Sequence, residues 1–304
     1  MAITLTILGS SSALPTSERF TSAHVLNVHE HLFLIDCGEG TQIRFRQLKQ
    51  HFNKLNHIFI SHLHGDHFFG IFGLLSSLQL LGRKNNLDIY SFPDLENIII
   101  NITKLFGEEF SFPITFHNLQ NTKSEVLFSD KNIEVTSFPL KHRVPTCGFV
   151  FREKPKPNNI IKEKIIEFDI SISDIQKIKN GSNLILSDGK VIPNSELTKP
   201  GKKSFSYAYC SDTIFLPEIV PYIKGVDILY HEATFLENYL ERAVSTFHST
   251  AKQAAEIAKL AKVGKLYIGH YSARYKNLNE FLDETKNIFA ETYLATDGLK
   301  ISFE

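Results

Sequence analysis

A mixed α/β protein with one inserted arm is what the sequence predicts, and three observations carry that expectation. Short apolar strands alternate with stretches of helical period in the first half of the chain. The same alternation resumes after residue 204. Between them, residues 152–203 are rich in lysine, proline and asparagine around a weaker apolar middle.

The first strands read ITLTIL at 3–8, HVLNV at 24–28, HLFLID at 31–36 and HIFIS at 57–61, and TQIRFRQLKQ and FFGIFGLLSSLQLL carry apolar residues at helical spacing. After residue 204 the strand candidates are YAYCSD, VDILYHE, KLYIGH and LATDGLKISF. Helical candidates separate them around 235–243, 249–262 and 278–290. The intervening stretch opens with REKPKPNNIIKEK and closes with TKPGKK. Proline and glycine punctuate it and its outer pieces offer little surface to bury, so an extended arm or long hairpin is expected.

The 304 residues allow one large α/β domain or two modest ones with a buried core. Basic and acidic residues balance at 33 each, so the chain has no overall polycation character and any nucleic-acid contact must come from local clusters. No early apolar segment has the flanks of an export signal and no stretch has the length of a membrane span, so a cytoplasmic address is expected. Cys37, Cys147 and Cys210 are far apart and outside any C-x-x-C spacing, which suggests buried small residues rather than a disulfide framework or a cysteine zinc site.

SHLHGDH at 61–67 is the densest chemical signal. An extended HLH places His62 and His64 on one side, and a turn at Gly65, which tolerates unusual backbone angles, folds Asp66 and His67 back beside them. This arrangement has room for two adjacent metal positions. The spacing is neither the i, i+4 pattern of helical zinc sites nor a cysteine finger, so this is a loop site needing donors from elsewhere. His142 in SFPLKHR, Asp212 in YAYCSD and His270 in KLYIGH each fall where a strand should end, and strand ends of an α/β sheet share one rim. Keeping so many titratable groups together without a cation would be costly. His29, His31, His51, His57 and His117 lack such company and are expected to serve packing or the surface.

GSSSALPTSERFTSA, DCGEGTQIRFRQ, SHLHGDH, FPLKHRVPTCGF, YCSDT, HEATF, HSTAKQAAEIA and IGHYSARY together resemble, in chain order and over nearly the full length, the RNase Z (tRNase Z, short form) family of the metallo-β-lactamase superfamily. SHLHGDH alone is shared widely within that superfamily. HEATF with HST and H-x-S-x-R-Y is more discriminating. The resemblance implies an αββα sandwich and a zinc-dependent endoribonuclease that removes the 3′ trailer of precursor tRNA, leaving a 3′-hydroxyl on the tRNA and a 5′-phosphate on the trailer. It implies two zinc ions per subunit, manganese or iron being alternatives: one on His62, His64 and His142, the other on Asp66, His67 and His270, with Asp212 between them. Such a pair lowers the pKa of a shared water and clamps the oxygens of an in-line displacement.

Further roles rest on the same resemblance. Asp66 both ligates and orients the attacking water, His248 is the acid for the leaving oxygen, and Glu232 orients His248 and raises its pKa. Asp36 and His231 are candidates for supporting the ligands. Thr250 with Gln253 fits a capping box, and Ala251, Ala254, Ala255, Ala258 and Ala261 form one helical face, so a helix starts beside His248 whose first residues, Ser249 and Thr250, suit a phosphate. Arg143, Thr146, Arg274 and Arg19 are candidate RNA contacts, with ordinary ion pairing as the plainer reading. The arm corresponds to the segment that grips the tRNA elbow, though the glycine-proline pair usual there is absent. Arg152, Lys154, Lys156, Lys162, Lys164, Lys199, Lys202 and Lys203 suit phosphates by counterion release. A homodimer in which one subunit holds the tRNA and the other cuts it is implied. Two other readings use the same residues: a small-molecule phosphodiesterase, and a tRNA-binding module without turnover.

Overall fold

Eighteen strands organise the protein in a computed structural model that describes residues 3–106 and 110–303. In chain order they are β1 (Ile3–Gly9), β2 (Ala23–Val28), β3 (His31–Ile35), β4 (Leu55–Phe59), β5 (Leu87–Ser91), β6 (Ile114–Asn118), β7 (Glu125–Ser129), β8 (Ile133–Leu140) and β9 (Thr146–Glu153). The arm contributes β10 (Asn159–Ile160), β11 (Leu184–Ile185), β12 (Val191–Ile192) and β13 (Thr198–Lys199). The chain then forms β14 (Ser206–Cys210), β15 (Ile228–Glu232), β16 (Lys265–Gly269), β17 (Thr292–Leu294) and β18 (Lys300–Phe303).

Two seven-stranded sheets run β18-β1-β2-β3-β4-β5-β6 and β17-β16-β15-β14-β9-β8-β7. In the first, β3 to β6 are parallel, and in the second β14 to β17 are parallel. Each sheet therefore owns a parallel half whose strands all finish at one edge, where loops collect.

Side-chain alternation sorts the two faces. In β14, Ala208 and Cys210 point outward with Leu229, Leu266 and Ile268 onto Ala254, Ala255 and Ala258 of the helix Ala251–Ala261. Tyr207 and Tyr209 point inward. There Phe59 meets Phe149 and Phe151, each at 5.5 Å, and His24 meets Tyr230 at 4.3 Å, so rings from both sheets fill the middle. Burial holds His24 at a pKa of about 3, hence neutral, with Nδ1 2.9 Å from the Tyr207 hydroxyl. On the far side, Leu34, Ile58 and Ile89 pack under Leu74, Leu75 and Leu78 of Gly70–Leu80 and Leu95 and Ile99 of Asp94–Phe106. Aliphatic layers under the helices and an aromatic layer between the sheets make an αββα sandwich.

LATDGLKISF does not form one strand. Gly298, at φ 87°, turns the chain between β17 in one sheet and β18 in the other. Between residues 82 and 140 the structure adds β5 to β7 and completes β8, of which SFPL alone was expected.

The arm departs further from expectation. Arg152–Phe205 is a second compact unit, against the expected 152–203, and it is not an extended hairpin. Helices Lys162–Glu167 and Ile172–Lys179 and the pairs β10–β13 and β11–β12 enclose a core of Ile170, Ile178, Leu184, Ile192 and Leu197. Those residues are spread over 28 positions of sequence, so no periodicity announces them. Ser171 starts the second helix by accepting the Asp174 N–H.

Candidate metal centre

The parallel strand ends place the donors. Asp36 follows β3, Ser61 and His62 follow β4, Asp212 follows β14, Glu232 ends β15 and His270 follows β16; His142 leaves β8 two residues past its end. His64 is extended (φ −85°, ψ 145°) and the short helix Gly65–Phe68 then turns Asp66 and His67 inward. Gly65 does not take the unusual angle expected of it. It supplies space instead, because a Cβ there would meet the Phe69 ring at 2.4 Å. Gly70 is needed for the same reason, since its Cβ would lie 1.9 Å from the Gly38 carbonyl oxygen, where the Gly70 N–H donates to Cys37 O at 2.9 Å. Asp36 and His270 hold left-handed backbone at φ 55° and 61°, a conformation that extended neighbours in sequence do not foretell.

His62, His64, His142 and Asp212 bring one ligand atom each within 4.8 Å of one another, and so do Asp66, His67 and His270. Asp212 faces both groups with different oxygens. Its Oδ2 lies 3.5 Å from His62 Nε2 and 3.7 Å from His142 Nε2, and its Oδ1 lies 3.2 Å from His270 Nε2 and 3.5 Å from His67 Nε2. His64 Nδ1 stands 3.2 Å from His62 Nε2 and 3.1 Å from His142 Nε2. Asp66 Oδ2 is 3.3 Å from His270 Nε2 and accepts the Ala13 N–H at 2.7 Å.

The tautomers follow from what lies behind each ring. The Phe247 carbonyl can only accept, so His142 Nδ1 donates to it at 2.8 Å. Asp36 Oδ2 accepts from His67 Nδ1 at 2.7 Å, from the Tyr209 hydroxyl at 2.6 Å and from Ser61 Oγ at 2.9 Å, while the Ser61 N–H donates to Oδ1 at 2.7 Å. With its proton given to Asp36, Ser61 Oγ accepts from His62 Nδ1 at 3.1 Å. Thr234 Oγ1 likewise donates to Glu232 Oε2 at 2.8 Å and accepts from His270 Nδ1 at 2.9 Å. Four Nε2 lone pairs therefore converge, with His64 presenting Nδ1 instead. Asp212 Oδ1 is buried with no hydrogen-bond donor.

Lone pairs and a carboxylate facing one another without protons are repulsive unless a cation lies between them. A tetrahedral ion bonded at about 2.0–2.1 Å holds its ligand atoms roughly 3.3 Å apart, which matches these separations. The residues present thus fit divalent cations. Asp36→Asn is expected to weaken metal affinity about 10- to 100-fold, because the amide sets an N–H against donors at His67 and Tyr209 while tolerating the same backbone angle. Equilibrium dialysis against a competing chelator measures it.

His248 also comes near Asp212 and His270. The atom it turns toward Asp212 is Nδ1, 3.9 Å from Oδ2, and that nitrogen is engaged by Glu232 Oε1 at 3.0 Å, which leaves Nε2 for the cleft and takes the ring out of the ligand set. Glu232 is fully buried and also accepts the N–H groups of Thr213, Ser249 and Thr234. Burial would raise its carboxyl, but the His248 charge and hydrogen bond outweigh that and hold it below the usual range. Burial would likewise lower His248, yet Glu232 beside it, then Asp212, raises it to about 9. A cleft of about 560 Å³ opens here, walled by His64, Asp66, His142 and His248 with Ala13, Leu14, Glu39, Phe69, Arg143 and Thr246.

Several expected RNA contacts are placed otherwise. Thr146 is buried, donating to Val144 O at 2.9 Å. Ser249 is buried, donating to Thr213 O at 2.8 Å. Thr250 forms the capping box and donates to Glu237 Oε2 at 2.7 Å, and the Ala251 N–H goes to Phe235 O. These side chains hold the chain together, and the N–H groups of Thr250, Ala251, Gln253 and Ala254 at the helix start, where a phosphate was expected, are engaged within the protein. Arg19 is a structural pin, with Nη1 and Nη2 both 3.0 Å from Tyr275 O. Arg143 does reach the cleft wall, steadied by Ser245 O at 2.9 Å. Arg274 is exposed, its guanidinium 4.7 Å from the Tyr239 ring centroid and 5.0 Å from that of Phe235. His231 faces away from the donors, its Nδ1 giving to Glu232 O. Ser61, Thr234, Tyr209 and the Ala13 N–H had no spacing signal, because they act through contact alone.

Comparison with known proteins places the chain. A curated ribonuclease Z of Phocaeicola vulgatus is 47% identical over 298 residues, covering 98% of this chain and 96% of that protein. The chain belongs to the ribonuclease Z family. A ribonuclease Z of Porphyromonas gingivalis is 44% identical over 300 residues, covering 99% of each. Among solved structures, the human tRNase Z, short form, aligns over 99% of each chain with a TM-score of 0.72 and 27% identity. A metallo-β-lactamase fold protein of Bacillus subtilis aligns over 100% of each with a TM-score of 0.70 and 17% identity, a likeness of fold. Residues 3–155 also match the family model described as Anti-Pycsar protein Apyc1. That match ends before Asp212, Glu232, His248 and His270, whereas the ribonuclease Z relatives span the stretch that holds them.

Proposed function

We propose that the chain removes the 3′ trailer from precursor tRNA as a metal-dependent endoribonuclease, leaving a 3′-hydroxyl on the tRNA and a 5′-phosphate on the trailer. One observation carries the reading: Asp212 turns one oxygen to each of two histidine sets beside the cleft that His64, Asp66, His142 and His248 line, in a chain 47% identical to a ribonuclease Z over 298 residues. His62, His64 and His142 would hold one zinc, Asp66, His67 and His270 the other, with Asp212 shared, and manganese or iron as substitutes. Bound there, the pair supplies Lewis acidity, lowers the pKa of water and neutralises phosphate charge.

The chain's own residues do the rest. Asp66 has Oδ2 committed to Ala13 and the ligand side, so Oδ1 orients the attacking water and takes its proton. His248, protonated and held through Nδ1 by Glu232, gives the Nε2 proton to the departing 3′ oxygen. Arg143 is placed to meet a phosphate at the cleft wall. The protein acts as a cytoplasmic homodimer, with Arg274 and the arm lysines Lys154, Lys156, Lys162 and Lys164 on the RNA backbone.

A defined precursor with product-end mapping tests this: metal-loaded protein should release an intact 5′-phosphorylated trailer. Fast hydrolysis of bis(p-nitrophenyl) phosphate with no trailer release would point to the small-molecule reading instead. For the arm, Lys162→Ala should reduce the slope of log affinity against log salt by about 1. Lys164→Ala should reduce it less, because Lys164 already pairs with Glu167 at 2.7 Å. Slopes unchanged in both variants would remove these lysines from the interface.

A further inference from the structure

The cleft has an aromatic feature that metal binding and proton transfer leave unused. Phe69 is 52% exposed, although it follows directly on the buried ligand His67 and the buried Phe68. Its ring lies over Gly65, close enough that a Cβ there would come within 2.4–2.8 Å of three ring atoms. Phe68 meets it edge-on, with centroids 4.9 Å apart and planes 68° apart. Phe69 is thus held by a glycine on one side and a second ring on another, with the rest of its surface open. It lines the same cleft as Asp66, His64, His142 and His248, on a wall with Leu14, itself 65% exposed.

An exposed, braced aromatic ring among donors for phosphate chemistry has a simple use. Resting on the reading of the chain as an endoribonuclease, we propose that Phe69 is a stacking platform for the nucleobase adjacent to the scissile phosphate. Every base offers a π-face, so such a platform positions the strand without reading its sequence. The unstacked base it needs is available only in single-stranded RNA, which is what a 3′ trailer junction presents. The ring thereby fixes which phosphodiester of the strand lies over the ligands. A uniform loss of affinity would be the mark of a charge contact; a stacking platform instead makes cleavage depend on one base.

The experiment is a cycle between protein and substrate. Wild type, Phe69→Ala and Phe69→Trp are assayed on the intact precursor and on two precursors carrying an abasic nucleotide, one on each side of the cut. On the intact precursor, Phe69→Ala should lower kcat/KM by roughly 5- to 150-fold, the range of about 1–3 kcal/mol for one stacked base, and Phe69→Trp should stay within about 3-fold of wild type. On one of the abasic precursors the gap between wild type and Phe69→Ala should close to within about 2-fold. Metal content is measured for each variant. An equal loss on all three substrates, or a loss that tracks lost metal, makes the ring a support of the ligand loop and overturns the proposal; so does an unaffected Phe69→Ala. If wild type leaves the intact precursor uncut, the endoribonuclease reading fails first, and this inference with it.

Discussion

Asp212→Asn is expected to reduce trailer cleavage by roughly 10³- to 10⁴-fold, the equivalent of the several kcal/mol that metal-centred charge stabilisation contributes. Asp212 faces both donor groups, its Oδ1 toward His67 and His270 and its Oδ2 toward His62 and His142. Asparagine keeps the shape but carries one neutral oxygen, so one group loses its shared oxygen and gains an N–H aimed at histidine lone pairs. On the proposed two-ion reading, metal content should fall from two ions toward one, since both donor groups share Asp212. Binding to the folded chain stabilises it by mass action, so the rise in Tm on adding zinc should shrink in parallel. Atomic absorption on the dialysed protein, with a thermal melt, decides it. Retention of both ions and of activity would mean that Asp212 is not shared between two metals.

His248→Ala should lower kcat about 10²- to 10⁴-fold with metal content unchanged. The loss should nearly vanish on bis(p-nitrophenyl) phosphate, whose leaving group departs without a proton. That contrast separates an acid from a ligand or a packing residue. The pH profile adds a sign. His248 is raised to about 9, with the Glu232 carboxylate as the leading influence against burial, so an acid at this position stays protonated through neutrality and its contribution disappears as pH rises through that value. Removing the charge with Glu232→Gln should move the alkaline limb of kcat/KM to lower pH, toward the ordinary histidine value near 6.5. An alkaline limb that does not move in Glu232→Gln would assign it to some other group.

Much of the donor set was legible because each member stands beside an apolar strand. HIFIS before His62, YAYC before Asp212 and KLYIG before His270 are patterns that sequence carries openly. The capping box at Thr250 and the alanine face of Ala251–Ala261 were legible for the same reason, both being local and periodic. Reading the Ser249 and Thr250 side chains as free for a phosphate missed what lies beyond local sequence. Ser249 and Thr250 find partners in Thr213 and Glu237, 36 and 13 residues away, and no spacing rule anticipates that. The arm failed likewise, since its core joins Ile170, Ile178, Leu184, Ile192 and Leu197 from separate small elements.

The sequence by itself determined the α/β alternation, the place of the insertion and which side chains could serve as donors, since strand period, helix period and ligand chemistry are properties of short stretches. Only the tertiary structure decided which Asp212 oxygen faces which histidine set, which nitrogen each ring turns inward, and that Thr146, Ser249 and Thr250 are interior. Those outcomes depend on distances between residues up to 204 positions apart, such as Asp66 and His270, and on which acceptor lies behind each imidazole. Chain connectivity carries neither quantity; packing of the two sheets does.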